Sequence, residues 1–240
     1  MTQRDANKNT MSSWHTTVWL VVVLLGVMAA FVYIMSLRPA QKITVAASAL
    51  NPAEYTALQN AMNQLGEVSF YRTDLSQIGH QALTLSWVDN VRVERNWQQG
   101  IVVHATSKTA VANFGSERLV DAHGAVFSPA DAASLGDTKL TTLYGEGEDA
   151  SQIMQKMYRL NQWYAPVGLV VEDIVLMPRR TWLIRFDNGL RVVVDHDRSD
   201  EKLYMLSGVL ADKNSGIEMS KIESVDLRYK NGFSIAWKTM

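Results

Sequence analysis

The sequence predicts an α+β protein: a single N-terminal transmembrane helix, a β-α-α-β-β domain, then a mainly antiparallel β domain with packed helices. Three observations carry this. Val18 to Met35 is an uncharged apolar run. Two capped helix starts, at Asn51 and Asp74, are followed by strand-like alternation. Beyond them hairpin signals recur, the sharpest being Asp187-Asn188-Gly189.

The apolar run, as a helix rising about 1.5 Å per residue, spans roughly 27 Å, close to the hydrocarbon thickness of a bilayer. Trp14, Trp19 and Tyr33 stand toward its ends, where amphipathic rings favour the membrane interface. A cleaved signal peptide is the competing reading, with Ala47-Ser48-Ala49 as a cleavage-like triplet. The run exceeds the usual h-region of about 7–15 residues, and Arg38 and Lys42 follow it, so a retained anchor is expected. Residues 1–17 are then a short polar tail, with 1–13 disordered, and 18–36 the span. Arg4 and Lys8 before the span balance Arg38 and Lys42 after it. Flanking charge therefore leaves orientation open. The size of the C-terminal part places the tail in the cytoplasm and the rest outside it. Arg38, Pro39 and Lys42 mark the exit.

Residues 43–108 form the first domain. Ile43 to Ala47 is a short strand. In Asn51-Pro52-Ala53-Glu54, Asn caps, Pro suits the first helical position and Glu reaches back to the cap. Tyr55, Leu58, Met62 and Leu65 follow at helical spacing, and Gly66 ends the helix. Asp74 starts a second helix with Leu75, Ile78, Ala82 and Leu83 on one face. Val91, Val93, Arg95 and Trp97 alternate with polar residues as a strand, Gln98-Gln99-Gly100 turns, and Ile101 to Thr106 returns.

Residues 109–240 form the second domain. Leu119-Val120 and Val126-Phe127 flank a turn, and Thr141 to Tyr144 is a short strand. Asp149 caps a helix with Ile153, Met157, Leu160 and Tyr164 on one face, stopped by Pro166. Gly168 to Met177 reads as a strand. Thr181–Phe186 and Leu190–Val194 flank the Asp-Asn-Gly turn. Leu203, Leu206 and Leu210 make a second helical stripe. Ser224 to Tyr229, Lys230-Asn231-Gly232 and Phe233 to Lys238 form a last hairpin, whose final strand is expected near a sheet edge.

Composition narrows the chemistry. Lys plus Arg number 23 and Asp plus Glu 24, a net charge of −1, which is no nucleic-acid footprint. The absence of cysteine excludes disulfides, thiolate catalysis and cysteine metal sites, and suits an oxidising compartment. The histidines form no HExxH, and the chain has no GxSxG, Walker loop or GxGxxG. Asp195-His196-Asp197 and the run Glu146, Glu148, Asp149 read as solvated turns rather than cation sites. The sequence therefore points to no enzyme, metal or cofactor. Aromatics are more informative. Trp87, Trp97, Trp163 and Trp182 suit core positions. Strand alternation sets Phe233, Ile235 and Trp237 on one face of the terminal strand, beside Tyr229. Large apolar side chains on an edge strand are either covered or used, and addition of a partner strand is the physical use.

Four segments resemble the FtsQ/DivIB family of bacterial division proteins. Ser86-Trp87-Val88 with Val91, Val93, Arg95 and Trp97 is similar to the family's PWV…V.R.WP. Leu119-Val120-Asp121…Gly124…Val126-Phe127 is similar to LVD..G.VF. Arg180, Trp182 and Asp187-Asn188-Gly189 are similar to RR.W…NG. Val225-Asp226-Leu227-Arg228-Tyr229…Asn231-Gly232-Phe233…Trp237 is similar to the terminal VDLRY..G…W. The chain departs at Ser86, where proline is usual, at Ala110 to Phe114 for PVA.W, and at Gly145-Glu146 for GP.

The resemblance implies a POTRA-type first domain and a non-enzymatic scaffold of the divisome. It implies an inner-membrane anchor with a periplasmic C-terminal region, concentrated at the division septum, that recruits FtsB and FtsL. The implied partner-binding residues are Arg228, Tyr229, Gly232, Phe233, Ile235 and Trp237, with Arg180 on a neighbouring strand. The POTRA-like domain is implied in recruitment to the division site. An alternative keeps that domain as a polypeptide-transport or outer-membrane assembly module. Such proteins carry tandem repeats and a barrel, and neither pattern is present.

Overall fold

The computed structural model describes residues 9–36, 41–136, 139–212, 214–230 and 232–238. Residues 1–8 of the expected tail, the exit residues Arg38 and Pro39, and Asn231 of the last turn lie outside the described residues. Helix α1 runs Asn9–Ser36. It begins earlier than expected and takes in part of the tail read as disordered. No glycine or proline lies between Asn9 and Leu25 to stop it, and extending a formed helix costs far less than nucleating one. Its segment Thr16–Ile34 is long and apolar enough to cross a membrane.

The first unit contains β1 (Thr44–Val45), α2 (Pro52–Asn63), α3 (Leu75–Leu83), β2 (Val88–Asn96) and β3 (Gly100–Ser107). Their sheet has the order β1-β3-β2, with β1 parallel and β2 antiparallel to the central strand. The capping box at α2 is complete: Glu54 N–H donates to Asn51 Oδ1 at 2.8 Å, and Asn51 N–H donates to Glu54 Oε2 at 2.9 Å. Asp74 caps α3 by accepting from Ser76 N–H at 2.9 Å. Two apolar residues expected on the helix faces, Leu65 and Leu83, are instead exposed. Trp97 leaves β2 as well. Asn96 Oδ1 accepts from the N–H groups of Gln98 and Gln99, and this local turn ends the strand one residue before the ring.

The second unit contains β4 (Ala110–Phe114), β5 (Arg118–Asp121), β6 (Val126–Phe127), β7 (Thr142–Tyr144), α4 (Ala150–Tyr164), β8 (Val171–Leu176), β9 (Trp182–Phe186), β10 (Arg191–Val194), α5 (Ser199–Ala211), β11 (Ile222–Asp226) and β12 (Ser234–Trp237). They form a nine-stranded sheet, β12-β11-β10-β9-β8-β7-β4-β5-β6. Most neighbours are antiparallel. The pairs β4–β7, β7–β8 and β10–β11 are parallel, and the last two are joined through α4 and α5, the crossover that parallel strands require. Strand β4 is an addition to the expected set: Ala-Val-Ala-Asn-Phe has no clean alternation to announce it.

Three expected details differ. Asp149 makes no side-chain cap, because it already belongs to a 3₁₀ turn, Gly147–Asp149, that leads into α4. Strand β8 starts at Val171, after a 3₁₀ turn Ala165–Val167 closed by Gly168 at φ 73°. The terminal hairpin is shifted: β11 ends at Asp226, not Tyr229. There the Asp226 carboxylate accepts from Arg228 N–H at 3.0 Å and turns the chain away.

The large core lies between the nine-stranded sheet and its two helices. Trp182, Tyr164, Phe186, Leu160, Ile174 and Ile184 are fully buried there. Each such apolar side chain stabilises the fold by roughly 1.5–3 kcal/mol. A second core forms under α2 and α3, from Leu58, Met62, Ile78, Ile101, Val103 and Trp87. Leu119 of β5 and Phe127 of β6 reach into it from the other unit. Ser86 Oγ also donates to Ser128 C=O at 3.1 Å. The β6 end of the large sheet is thus packed on the first unit, and among the described residues the β12 end is not.

Candidate functional site

Among the described residues, strand β12 stands at the sheet edge with only β11 beside it. Its register pairs Ser234 with Asp226, Ile235 with Val225, Ala236 with Ser224 and Trp237 with Ile222. Lys238 N–H donates inward to Lys221 C=O at 2.8 Å. Antiparallel alternation then turns the N–H groups of Ala236 and Ser234 inward also, and those of Ile235 and Trp237 outward. The edge therefore offers a row of backbone donors and acceptors, and Ser234–Trp237 carries neither charge nor proline to blunt it.

Leu227, Tyr229, Lys230, Gly232 and Phe233 of the β11–β12 connection lie against α5. Leu227 N–H donates to Val193 C=O at 2.8 Å, which extends the parallel pairing past β11 and buries the Leu227 side chain. Beyond it the chain becomes exposed. Tyr229 and Phe233 are 58% and 39% exposed, although both are aromatic. With Gly232, Leu227 and Lys230 they wall a groove of about 220 Å³ whose other side is Met205, Leu206 and Val209 of α5. Arg198, Glu201 and Lys202 supply its polar rim. The site is thus an apolar groove at one end of an open strand edge.

Arg228 is ordered by its neighbour. Its Nε donates to Asp226 Oδ1 at 3.0 Å and its Nη2 to Oδ2 at 2.6 Å. The hydrogen bond from Arg228 holds the Asp226 carboxyl below the usual carboxylate range. The guanidinium remains largely exposed, presenting positive charge beside the groove.

The expected site residues therefore divide. Arg228, Tyr229, Gly232 and Phe233 come together on the connection. Ile235 packs against the large core, and Trp237, 51% exposed, stands toward the other end of β12. Phe233 stands just before β12, where it lines the groove against α5. Arg180 is not on a strand. It occupies the β8–β9 turn at φ 56°, where its N–H donates to Met177 C=O at 2.8 Å. That turn lies at the same sheet end as the groove, with β9 and β10 between it and β11.

The α5 wall was not anticipated. Its signal is Met205, a large side chain off the Leu203/Leu206/Leu210 stripe that stays exposed. A second unanticipated feature fixes that helix. The Lys156 ammonium, from α4, is buried and donates to Ser199 Oγ at 2.9 Å and to the Asp200 carboxylate of α5. It also lies 4.8 Å from the Trp182 ring centre. Burial pushes its pKa down, and Asp200 works against that shift. Asp195, at the base of α5, accepts from Lys202 at 2.7 Å.

Comparison with known proteins agrees with this architecture. A family model described as "Cell division protein FtsQ/DivIB, C-terminal" matches residues 109–228. A cell division protein FtsQ from Acinetobacter oleivorans is 38% identical over 72% of this chain and 60% of its own length. The matched part of the chain thus spans less than two thirds of that relative. One from a Thioalkalivibrio species is 31% identical over 70% of the chain and 69% of its own length. One from Neisseria meningitidis serogroup B is 23% identical over 92% and 93%. With an N-terminal apolar helix, a POTRA-type unit and a large β unit in the same order, the chain belongs to the FtsQ/DivIB family of cell division proteins.

Proposed function

We propose that this protein is a bitopic inner-membrane scaffold of the divisome, non-catalytic, with its N-terminus in the cytoplasm and its folded part in the periplasm. At the septum it recruits the periplasmic regions of FtsB and FtsL. The observation that carries the reading is the unblunted β12 edge beside an apolar groove with exposed Tyr229 and Phe233. A partner segment adds a strand outside β12, where Ile235 and Trp237 turn their N–H groups outward. A following apolar side chain enters the groove, and Arg228 pairs with an acidic residue. Backbone pairing gives affinity, and the groove and the guanidinium give specificity. Confinement of anchored proteins to one membrane raises their effective concentration, so modest contacts suffice.

The test is capture of FtsB and FtsL periplasmic fragments by the full-length chain in detergent, comparing wild type with Tyr229→Ala. Because Tyr229 is exposed, the variant should unfold at the wild-type temperature and lose at least about tenfold in affinity, the equivalent of about 1.4 kcal/mol. Unchanged affinity in the folded variant moves the site elsewhere. Absence of binding by the folded wild type removes the scaffold reading.

A further inference from the structure

The first unit carries an aromatic cluster that the partner site does not use. Phe70 is buried, and its ring contacts Tyr71 at 5.0 Å and Trp97 at 5.3 Å between centroids. Tyr71 and Trp97 are 40% and 62% exposed. Arg95 of β2 builds the platform: its Nε donates to Phe70 C=O at 2.7 Å and its Nη2 to Thr73 C=O at 2.8 Å. The cluster is a fixed surface, in which two separate loops present aromatic rings side by side.

Its place in the chain indicates what it faces. Gln41 N–H donates to Val68 C=O, and Val68 N–H to Gln41 C=O, both at 3.0 Å, so Gln41 is clamped to the loop that carries Phe70 and Tyr71. The Gln41 side chain also fills the space over Gly100, at the end of the turn that carries Trp97. Gln41 follows α1, which ends at Ser36. Those five residues reach at most about 17 Å when fully extended. The end of the first unit that bears Tyr71 and Trp97 is therefore the end tethered to the membrane span. Exposed Lys42 and Arg72 flank it, with Glu67 and Asp74 as acidic neighbours and Arg95 beside Asp74.

We propose that Tyr71 and Trp97 dock on the surface of the bilayer that α1 crosses, with their rings at headgroup level. Amphipathic rings favour that layer, and the two cations favour anionic headgroups. The contact fixes the tilt of the first unit on the membrane, and with it the direction in which the β12 edge points. It rests on α1 being a transmembrane anchor.

The chain has no cysteine, so a single label can be placed directly. Nitroxide is attached at Gln98→Cys, beside Trp97, in the full-length protein reconstituted into phosphatidylethanolamine–phosphatidylglycerol vesicles. Matched labels at Gly26→Cys and Asn188→Cys report the span and a distant surface turn. Collision with a water-soluble nickel chelate should be several-fold weaker at position 98 than at 188. Tyr71→Ala with Trp97→Ala should restore it, with position 26 still shielded. Accessibility at 98 equal to that at 188, while position 26 is shielded, overturns the docking and leaves the anchor standing. An accessible position 26 overturns both.

Discussion

The outward N–H of Trp237 gives the sharpest test of strand addition. Trp237→Ala removes the indole and keeps the backbone donor. Trp237→Pro removes the donor as well and sets a ring on the edge. Because Lys238 and, by alternation, Ala236 supply the inward bonds, proline at 237 leaves the β11–β12 ladder intact. The indole is 51% exposed, so neither change opens a core cavity. Both variants should therefore unfold within about 1 kcal/mol of the wild type. Binding should separate them. The lost backbone bond is worth about 0.5–1.5 kcal/mol, and exclusion of the incoming strand by the pyrrolidine adds to it. Trp237→Pro should thus bind FtsB fragments at least about tenfold more weakly than Trp237→Ala, as measured by isothermal titration calorimetry on the full-length chain. Equal affinities of the two variants would refute strand addition at this position, whatever the aromatic contribution. Ala236→Pro is the internal control: it removes an inward donor and should destabilise the hairpin itself.

Other outcomes follow from contacts elsewhere. Asp200→Asn takes the charge partner from the buried Lys156 ammonium and should cost about 1–3 kcal/mol, discounted because Asp200 is partly exposed, whereas Lys156→Met should be close to neutral; thermal unfolding of both decides. Gly124→Ala places a Cβ 2.8 Å from the Ser151 backbone at a residue with φ +84°, and should cost about 1–3 kcal/mol by the same assay. Asn51→Ala should lose about 1 kcal/mol by opening the α2 capping box. Asp226, held below the usual carboxylate range by Arg228, contributes stability present above about pH 3.9, its unfolded value, and lost as pH falls through the lower folded value. The stability difference between wild type and Asp226→Asn should therefore be constant near neutrality and shrink in that acid window.

Local chemistry was legible wherever a few adjacent residues decide the geometry. The Asn51–Glu54 box, the Asp74 cap, the Asp187-Asn188-Gly189 turn and the apolar span all form where the sequence places them. What failed was the extent of elements whose ends depend on side chain to backbone bonds. Asn96 stops β2 before Trp97, and Asp226 stops β11 before Arg228, and both use a carbonyl or carboxylate acting on N–H groups two residues ahead. Those bonds also decide the site, because they release Trp97, Arg228 and Tyr229 from strand alternation. The α5 wall of the groove escaped for a different reason. Its residues are set beside Tyr229 by the β10–β11 crossover, a contact that no local pattern encodes.

The two ends of the large sheet make the case for a single usable edge. An edge strand left bare invites nonspecific pairing, so it is normally shortened, charged or covered. The β6 end is treated in that way: Val126–Phe127 is only two residues, Phe127 is buried in the first unit's core, and Ser128 is bonded to Ser86. The β12 end receives none of this within Ser234–Trp237. Its protection is confined to the flanks, Lys230 before it and Lys238 after it, which repel a second copy of this basic margin while attracting an acidic segment. On the proposed reading, a partner that pairs here is extended, apolar at the groove and acidic opposite Arg228. Reversing that rule, by Arg228→Glu, should abolish capture of an acidic segment and be rescued by a matching basic substitution in the partner; failure of every such charge swap in a folded protein would assign Arg228 to holding Asp226 alone.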